Sequence, residues 1–358
     1  MSRAYVPGEE APRGRGSAGN PPNRFERLHF EADAEDGPEG EGSPAVRTEL
    51  YRDSSRTVLA RNDSPDIPFA VSLNPYRGCE HGCAYCYARP THEYLGFSAG
   101  LDFETKLMVK EDAPALLRQE LSSRRWIPQT IALSGVTDAY QPVERKLSLT
   151  RRCLEVLLDF RNPVGVITKN ELVTRDADLL GALAGYGAAA VSLSITTLDP
   201  DLAHALEPRA SGPARRLAAL ASLSAAGIPC GVMIAPVIPG LNDHEIPGIL
   251  SAAWAAGARA AGTIPLRLPY GVKDLFRDWL ERNVPLRAGK VLARLMDLRG
   301  GRLNDPEFGS RMRGEGAEAE HLKTLFEVAA RKAGFGARSP ALSAAAFRVP
   351  GPQLSLFA

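Results

Sequence analysis

Long apolar runs are what this sequence lacks first. None approaches the roughly 20 residues that carry a helix across a bilayer, which argues against a membrane partner and for a cytoplasmic location. The first residues are polar and rich in Gly and Pro rather than built as a secretory leader. Cysteine is scarce: there are five in 358 residues, and three of them fall between positions 79 and 86. That distribution excludes the dispersed, even-numbered framework of a secreted disulfide scaffold and favours metal binding. Net charge is nearly absent at +1. Residues 1–50 hold 6 Lys/Arg against 10 Asp/Glu, and the remainder 37 against 32, so the folded part is mildly basic. This permits contact with nucleic acid without the basic stripe that phosphate-binding proteins usually show. No internal repeat is visible.

What is present suits one large α/β unit, since a chain 44% hydrophobic can bury a full core. Residues 1–46 are rich in Gly, Pro, Glu and Ser, and their few large apolar side chains cannot offset the entropy of ordering; they read as a disordered tail. From residue 47 to 269, short apolar runs (69–73, 131–134, 164–168, 189–195, 228–234 and 260–264) alternate with amphipathic stretches such as 147–160, 175–186, 213–226 and 245–256. Repeated strand–helix alternation implies right-handed βαβ units around a parallel sheet, and six units make a partial barrel rather than an eight-fold one. Residues 270–333 read as a helical extension (272–283, 288–298 and 317–333), and residues 334–358 as a flexible tail.

Site residues on such a fold belong at the C-terminal ends of the strands. After the first apolar run comes Asn74-Pro-Tyr-Arg-Gly-Cys79-Glu-His-Gly-Cys83-Ala-Tyr-Cys86-Tyr87, a C-x3-C-x2-C spacing that gathers three soft thiolate ligands in one loop. Three cysteines on a cubane of four irons leave one iron open to a chelating ligand. A zinc site completed by His81 or His92 is the alternative, although zinc sites usually bring two separated ligand pairs, and no second pair occurs here.

The cysteine spacing, the aromatic Tyr85 before its last cysteine and the surrounding βα pattern resemble the radical S-adenosylmethionine (SAM) superfamily. Within it the chain resembles the spore photoproduct lyase-like branch, from about residue 74 to 242. The likeness runs through Cys83 to Tyr87, Thr137-Asp138, Val166-Ile-Thr-Lys169, Ser192-Leu-Ser194-Ile, Glu207-Pro208 and Met233-Ile-Ala-Pro236. The resemblance implies a partial (β/α)6 TIM-like barrel of the radical SAM type with a helical C-terminal extension. It implies that Cys79, Cys83 and Cys86 hold a 4Fe-4S cluster fed by an external electron donor, and that SAM chelates the open iron and is cleaved to a 5′-deoxyadenosyl radical. By the same likeness Ser134, Gly135, Thr137 and Asp138 form the loop at the SAM amino group, with Tyr85 beside the cofactor. Lys169 pairs with the SAM carboxylate, Ser194 makes a polar contact and Ala235 borders adenine. Each has a plainer reading: Lys169 as a solvated strand-end lysine, Ser194 as a core hydroxyl, Ala235 as packing. Arg209 reads as a surface arginine.

Tyr87 stands where the family has a tyrosine that relays a hydrogen atom, and an aromatic packed over the cluster is the alternative. The family's hydrogen-donating cysteine has no counterpart, since its place is taken by Gly135. Cys153 and Cys230 read as small buried residues. Damaged or modified DNA is the expected substrate class. The rival functions are radical chemistry on a protein or small molecule, and a non-enzymatic zinc-bearing adaptor. The chain closes on Gln353-Leu354-Ser355-Leu356-Phe357, which looks like the peptide by which bacterial replication and repair proteins dock on the sliding clamp.

Overall fold

A computed structural model describes residues 10–25, 46–336 and 341–351. In chain order the strands are β1 (Glu49–Arg52), β2 (Leu59–Arg61), β3 (Val71–Leu73), β4 (Tyr76–Arg77), β5 (Lys106–Val109), β6 (Ile131–Leu133), β7 (Val164–Thr168), β8 (Ala189–Ser194), β9 (Cys230–Val237) and β10 (Ala260–Pro265). Seven of them form the main sheet in the order β10-β9-β8-β7-β6-β3-β2. The six from β3 to β10 are parallel, with Leu73 opposite Leu133, Val166 opposite Val191 and Leu193 opposite Val232; β2 closes one edge antiparallel to β3. This is the expected six-unit partial barrel. Strands covered by helices on one side and facing a filled interior on the other need apolar residues on both faces, and Leu73, Leu133, Val166, Leu193 and Ile234 are all buried.

The helices follow from period and punctuation. Leu149–Phe160 buries Leu149, Cys153, Leu154, Val156, Leu157 and Phe160 along one stripe, while Arg151, Arg152 and Glu155 stay outside. Each fully buried Leu there contributes about 1.5–3 kcal/mol. Pro200–Leu206 starts on Asp199, whose carboxylate accepts from the Asp201 and Leu202 amides, with Pro200 at the first helical position. Beyond the barrel, Val272–Asn283, Pro285–Leu298 and Gly316–Ala333 form the extension. Trp279 donates its indole N–H to Ala205 O (2.9 Å), and Gly316–Ala333 packs on Ile246–Ala255.

Three features depart from the sequence reading. A second, three-stranded sheet, β1-β5-β4, stands beside the cysteine loop; its strands have two to four residues, too short for a periodic signal. Residues 10–25, taken from composition as disordered tail, are packed, with Ser17, Ala18, Asn20 and Asn23 buried. They hold by polar contacts that hydropathy does not register: Asn20 and Asp102 exchange hydrogen bonds (2.9 and 2.8 Å), and Asn23 donates to Glu93 O and Phe97 O. Within the expected flexible tail, residues 341–351 lie on the barrel where the strands begin. There Phe347 meets Phe160 (ring centroids 6.1 Å), and the Arg348 and Ser343 amides bond to Phe160 O and Gly187 O. The clamp-like peptide Gln353–Phe357 lies outside the described residues. Among the described residues no helix is long and apolar enough to cross a membrane.

Candidate functional site

The cysteine loop is held by backbone and buried charge. Gly78 and Gly82 take positive φ (80° and 68°), the left-handed region that glycine enters without strain. The Cys79 amide bonds to Phe103 O (2.9 Å), Ala84 N to Leu206 O (3.0 Å), and Cys86 N to Cys83 O (3.2 Å). Arg89, fully buried, donates twice to Cys83 O (3.0 and 2.9 Å) and pairs with buried Glu104 at 2.6 Å. Glu104 in turn accepts from the Gly16 and Ser17 amides (3.0 and 2.9 Å). At Gly16 a Cβ would stand 1.8 Å from Gly82 O, so only glycine lets the N-terminal segment cross the loop here.

Cys79 and Cys83 are buried and Cys86 is half-buried; none is in a disulfide. Burial pushes all three thiols above their ordinary value, so thiolates form there when a metal takes the place of the protons. Among the described residues no three His, Cys, Asp or Glu side chains close on a single ion. A mononuclear site needs such convergence, whereas a cubane asks each thiolate for a different iron. Of the two histidines considered as a fourth zinc ligand, His81 has both ring nitrogens engaged elsewhere, and His92 has one engaged and its buried Nδ1 without a hydrogen-bond partner among the described residues. His81 stands between Asp138 (3.4 Å) and Asn170 (3.1 Å), its pKa lowered by burial against the pull of Asp138, and His92 Nε2 meets Lys106 O (2.9 Å). The donor set therefore suits an iron–sulfur cluster.

Lys169, Ser194 and Ala235 come from the C-terminal ends of three neighbouring strands, and they meet. Lys169 Nζ donates to Ser194 Oγ (2.5 Å) and Ala235 O (3.0 Å), and Ser194 Oγ donates to Ala235 O (3.0 Å). Lys169 Nζ is also 3.5 Å from Glu207, which pairs with buried Arg216 and accepts from the hydroxyls of Tyr85 and Thr196. Burial alone would raise the Glu207 carboxyl; Arg216, Lys169 and the two hydroxyls outweigh it and bring it down to about 2. Lys169 is thus no solvated strand end, and Tyr85 is tied to the same carboxylate.

The loop after β6 is anchored rather than open. Ser134 holds φ 80°, costly for a non-glycine residue, and its Oγ accepts from the Ala139 amide (3.0 Å). Thr137 bonds to Tyr76 O (3.2 Å). Asp138 accepts from Thr168 Oγ1 (2.7 Å) and the Lys169 amide (2.8 Å), which fixes the start of the loop after β7. Tyr87 donates its hydroxyl to Gly135 O, so the residue after the third cysteine of the loop touches the loop after β6.

The sequence matches the radical SAM superfamily over residues 73–253, about half the chain. The chain belongs to the radical SAM superfamily. An uncharacterized Mycobacterium tuberculosis protein is 38% identical over 221 residues, 61% of this chain and 65% of that protein, so the chain spans just under two thirds of that relative. A protein of Pseudomonas phage M6, the radical SAM Nalpha-GlyT isomerase, is 27% identical over 197 residues, 54% of this chain and 39% of the phage protein. The fold is that of spore photoproduct lyase: its complex with dinucleoside spore photoproduct superimposes with a TM-score of 0.57 at 17% identity, covering 79% of each chain.

On this radical SAM barrel every expected site residue lies at the strands' C-terminal ends. Two groups went unread. Glu207 was seen only as part of a family motif, and its partner Arg216, five residues past Ser211 on Pro213–Ala225, carries no local mark of its role. Arg209, read as a surface residue, pairs with Glu80 inside the cysteine loop (2.9 Å).

Proposed function

We propose that this chain is a radical SAM enzyme that holds a 4Fe-4S cluster on Cys79, Cys83 and Cys86 and acts on a nucleic-acid substrate. The observation that carries the reading is one convergence: three buried or half-buried cysteines in the loop that follows β3 and the short β4, with Lys169, Ser194 and Ala235 meeting at the C-terminal end of the main sheet. When bound, the cluster and SAM supply an electron and a 5′-deoxyadenosyl radical that takes a hydrogen atom from the substrate. The chain's own part is to hold, orient and exclude water.

Lys169, a cation kept in place by Ser194 and Ala235 O, is the group on this barrel suited to the SAM carboxylate. Glu207 fixes Lys169 and Tyr85 together, so ligand position there depends on one buried charge. Tyr87, half exposed and bonded to Gly135 O, stands where a hydrogen atom could pass to or from substrate. With glycine at position 135, no protein thiol is offered at that point. A nucleic-acid substrate is supported by the dinucleoside bound to spore photoproduct lyase and by the mildly basic body of the chain. A cytoplasmic location accords with the oxygen-sensitive chemistry.

The test is anaerobic reconstitution followed by iron and sulfide analysis and an assay for 5′-deoxyadenosine with modified oligonucleotides. About four iron and four sulfide per chain with nucleoside-dependent SAM turnover is expected. Stoichiometric zinc, or SAM cleavage that responds only to peptides, would end the proposal.

A further inference from the structure

Three exposed aromatic rings each lie within reach of an arginine guanidinium. Tyr87, next to the last cluster cysteine, is 49% exposed, Tyr270 60% and Phe308 61%. The Arg267 guanidinium lies 5.7 Å from the Tyr87 ring centre, Arg24 3.8 Å from Tyr270 and Arg311 4.3 Å from Phe308. The three pairs are connected. Arg267 and Tyr270 share the loop that leaves β10, and Arg267 Nη1 reaches Met312 Sδ (3.2 Å), beside Arg311.

The arginines are not equivalent. Arg24 is paired with Glu93 (2.8 Å) and Arg311 with Asp66 (2.5 Å), so their charge is spent within the protein and they serve to hold the rings. Among the described residues Arg267 is in no ion pair, since the nearby carboxylate of Asp66 is taken by Arg311, and its buried Nε has no hydrogen-bond partner. A half-buried guanidinium left unpaired costs stability unless an anion completes it. It sits next to Tyr87, at the place a substrate must reach.

We infer that this set of rings is the substrate-docking surface and that its occupant is a single strand of nucleic acid, whose bases stack on Tyr270 and Phe308 and whose phosphate pairs with Arg267. Exposed ring faces give sequence-tolerant stacking, and a planar guanidinium offers two parallel N–H groups to phosphate. An acidic peptide could use Arg267 but would leave the exposed rings of Tyr270 and Phe308 without a stacking partner. Assigning this surface to the substrate rests on the reading above.

The experiment uses the full chain with its cluster reconstituted under anaerobic conditions and SAM present. Fluorescence anisotropy follows a labelled oligothymidylate of about 12 nucleotides, within the usual span of one such platform, and a polyglutamate peptide of matching charge. Wild type is expected to bind the oligonucleotide with an affinity that falls as salt rises. Arg267→Gln should weaken it about tenfold and make the log–log salt slope shallower by about 0.7, one phosphate contact on a single strand. The exposed double change Tyr270→Ala/Phe308→Ala should weaken it at least about fivefold with the slope unchanged. If Arg267→Gln does not fold, the exposed double variant decides alone. Binding by either variant within twofold of wild type, no oligonucleotide binding by wild type, or equal affinity for polyglutamate overturns the inference. SAM cleavage measured on the same samples separates the two readings: an oligonucleotide bound as expected by a chain that never cleaves SAM sinks the enzyme proposal and leaves the docking surface standing.

Discussion

Replacing Glu207 by Gln tests the charge at the centre of the site. Glu207 and Arg216 are each 2% exposed and paired, and Arg216 also donates to Ser211 O (2.6 Å) and Ser194 O (2.7 Å). Those carbonyls remain in the variant, but the guanidinium charge loses its counter-charge in a site water does not reach. Breaking such a pair from one side costs about 3–5 kcal/mol. The depressed carboxyl gives a similar size by another route. The Glu207 carboxyl lies at about 2 against an ordinary 4.5, a gap worth about 3 kcal/mol. Because the folded value is the lower one, this stability is fully present above about pH 4.5 and is lost as pH falls towards 2. Urea unfolding of the cluster-free chain, followed by circular dichroism, should show Glu207→Gln less stable by about 3 kcal/mol near neutral pH, with this share of the acid loss gone. Adding Arg216→Met should recover part of the loss, since the stranded charge is then removed. A variant within about 1 kcal/mol of wild type, or one whose acid loss between pH 4.5 and 2 parallels it, would refute the reasoning.

Changing Cys79, Cys83 or Cys86 to Ala should abolish the expected cluster of about four irons, whereas Cys153→Ala and Cys230→Ala, both in the apolar core, should leave it intact by iron analysis. Lys169→Ala should keep the iron but weaken SAM binding by about 1.5–3 kcal/mol in a calorimetric titration, and unchanged affinity would remove Lys169 from the site. Gly135→Cys should be accepted, because the nearest atom to its Cβ would be 3.7 Å away; an unfolding free energy lowered by more than about 1 kcal/mol would contradict this. For the terminal peptide, Leu356→Ala/Phe357→Ala should abolish capture by a bacterial sliding clamp that binds wild type at about 1 μM, with SAM cleavage unaffected; equal capture of both chains, or of neither, would dismiss the motif.

The barrel was legible because its signals are local and repeated. Residues 164–168 were read as a strand and are β7, and the helix read at 147–160 runs from Leu149 to Phe160, since an apolar stripe or run reports the face it must bury. The three cysteines were legible for the same reason: their spacing within one loop is itself the chemical requirement. The resemblance ordered Lys169, Ser194 and Ala235, but their meeting at one atom, Lys169 Nζ, depends on the stagger of β7, β8 and β9. Nor could period or composition foresee the packing of residues 10–25, because Gly16, Asn20 and Asn23 bury little apolar surface and hold by hydrogen bonds to residues about 70 to 88 positions away. Short-range pattern determined which segments become strands and helices. Which charges share a buried site was decided only when segments apart in sequence came side by side: Lys169, just past β7, reaches Glu207 after the next crossover, and such an ion pair gains its strength from a low-dielectric surrounding that no stretch of chain makes alone.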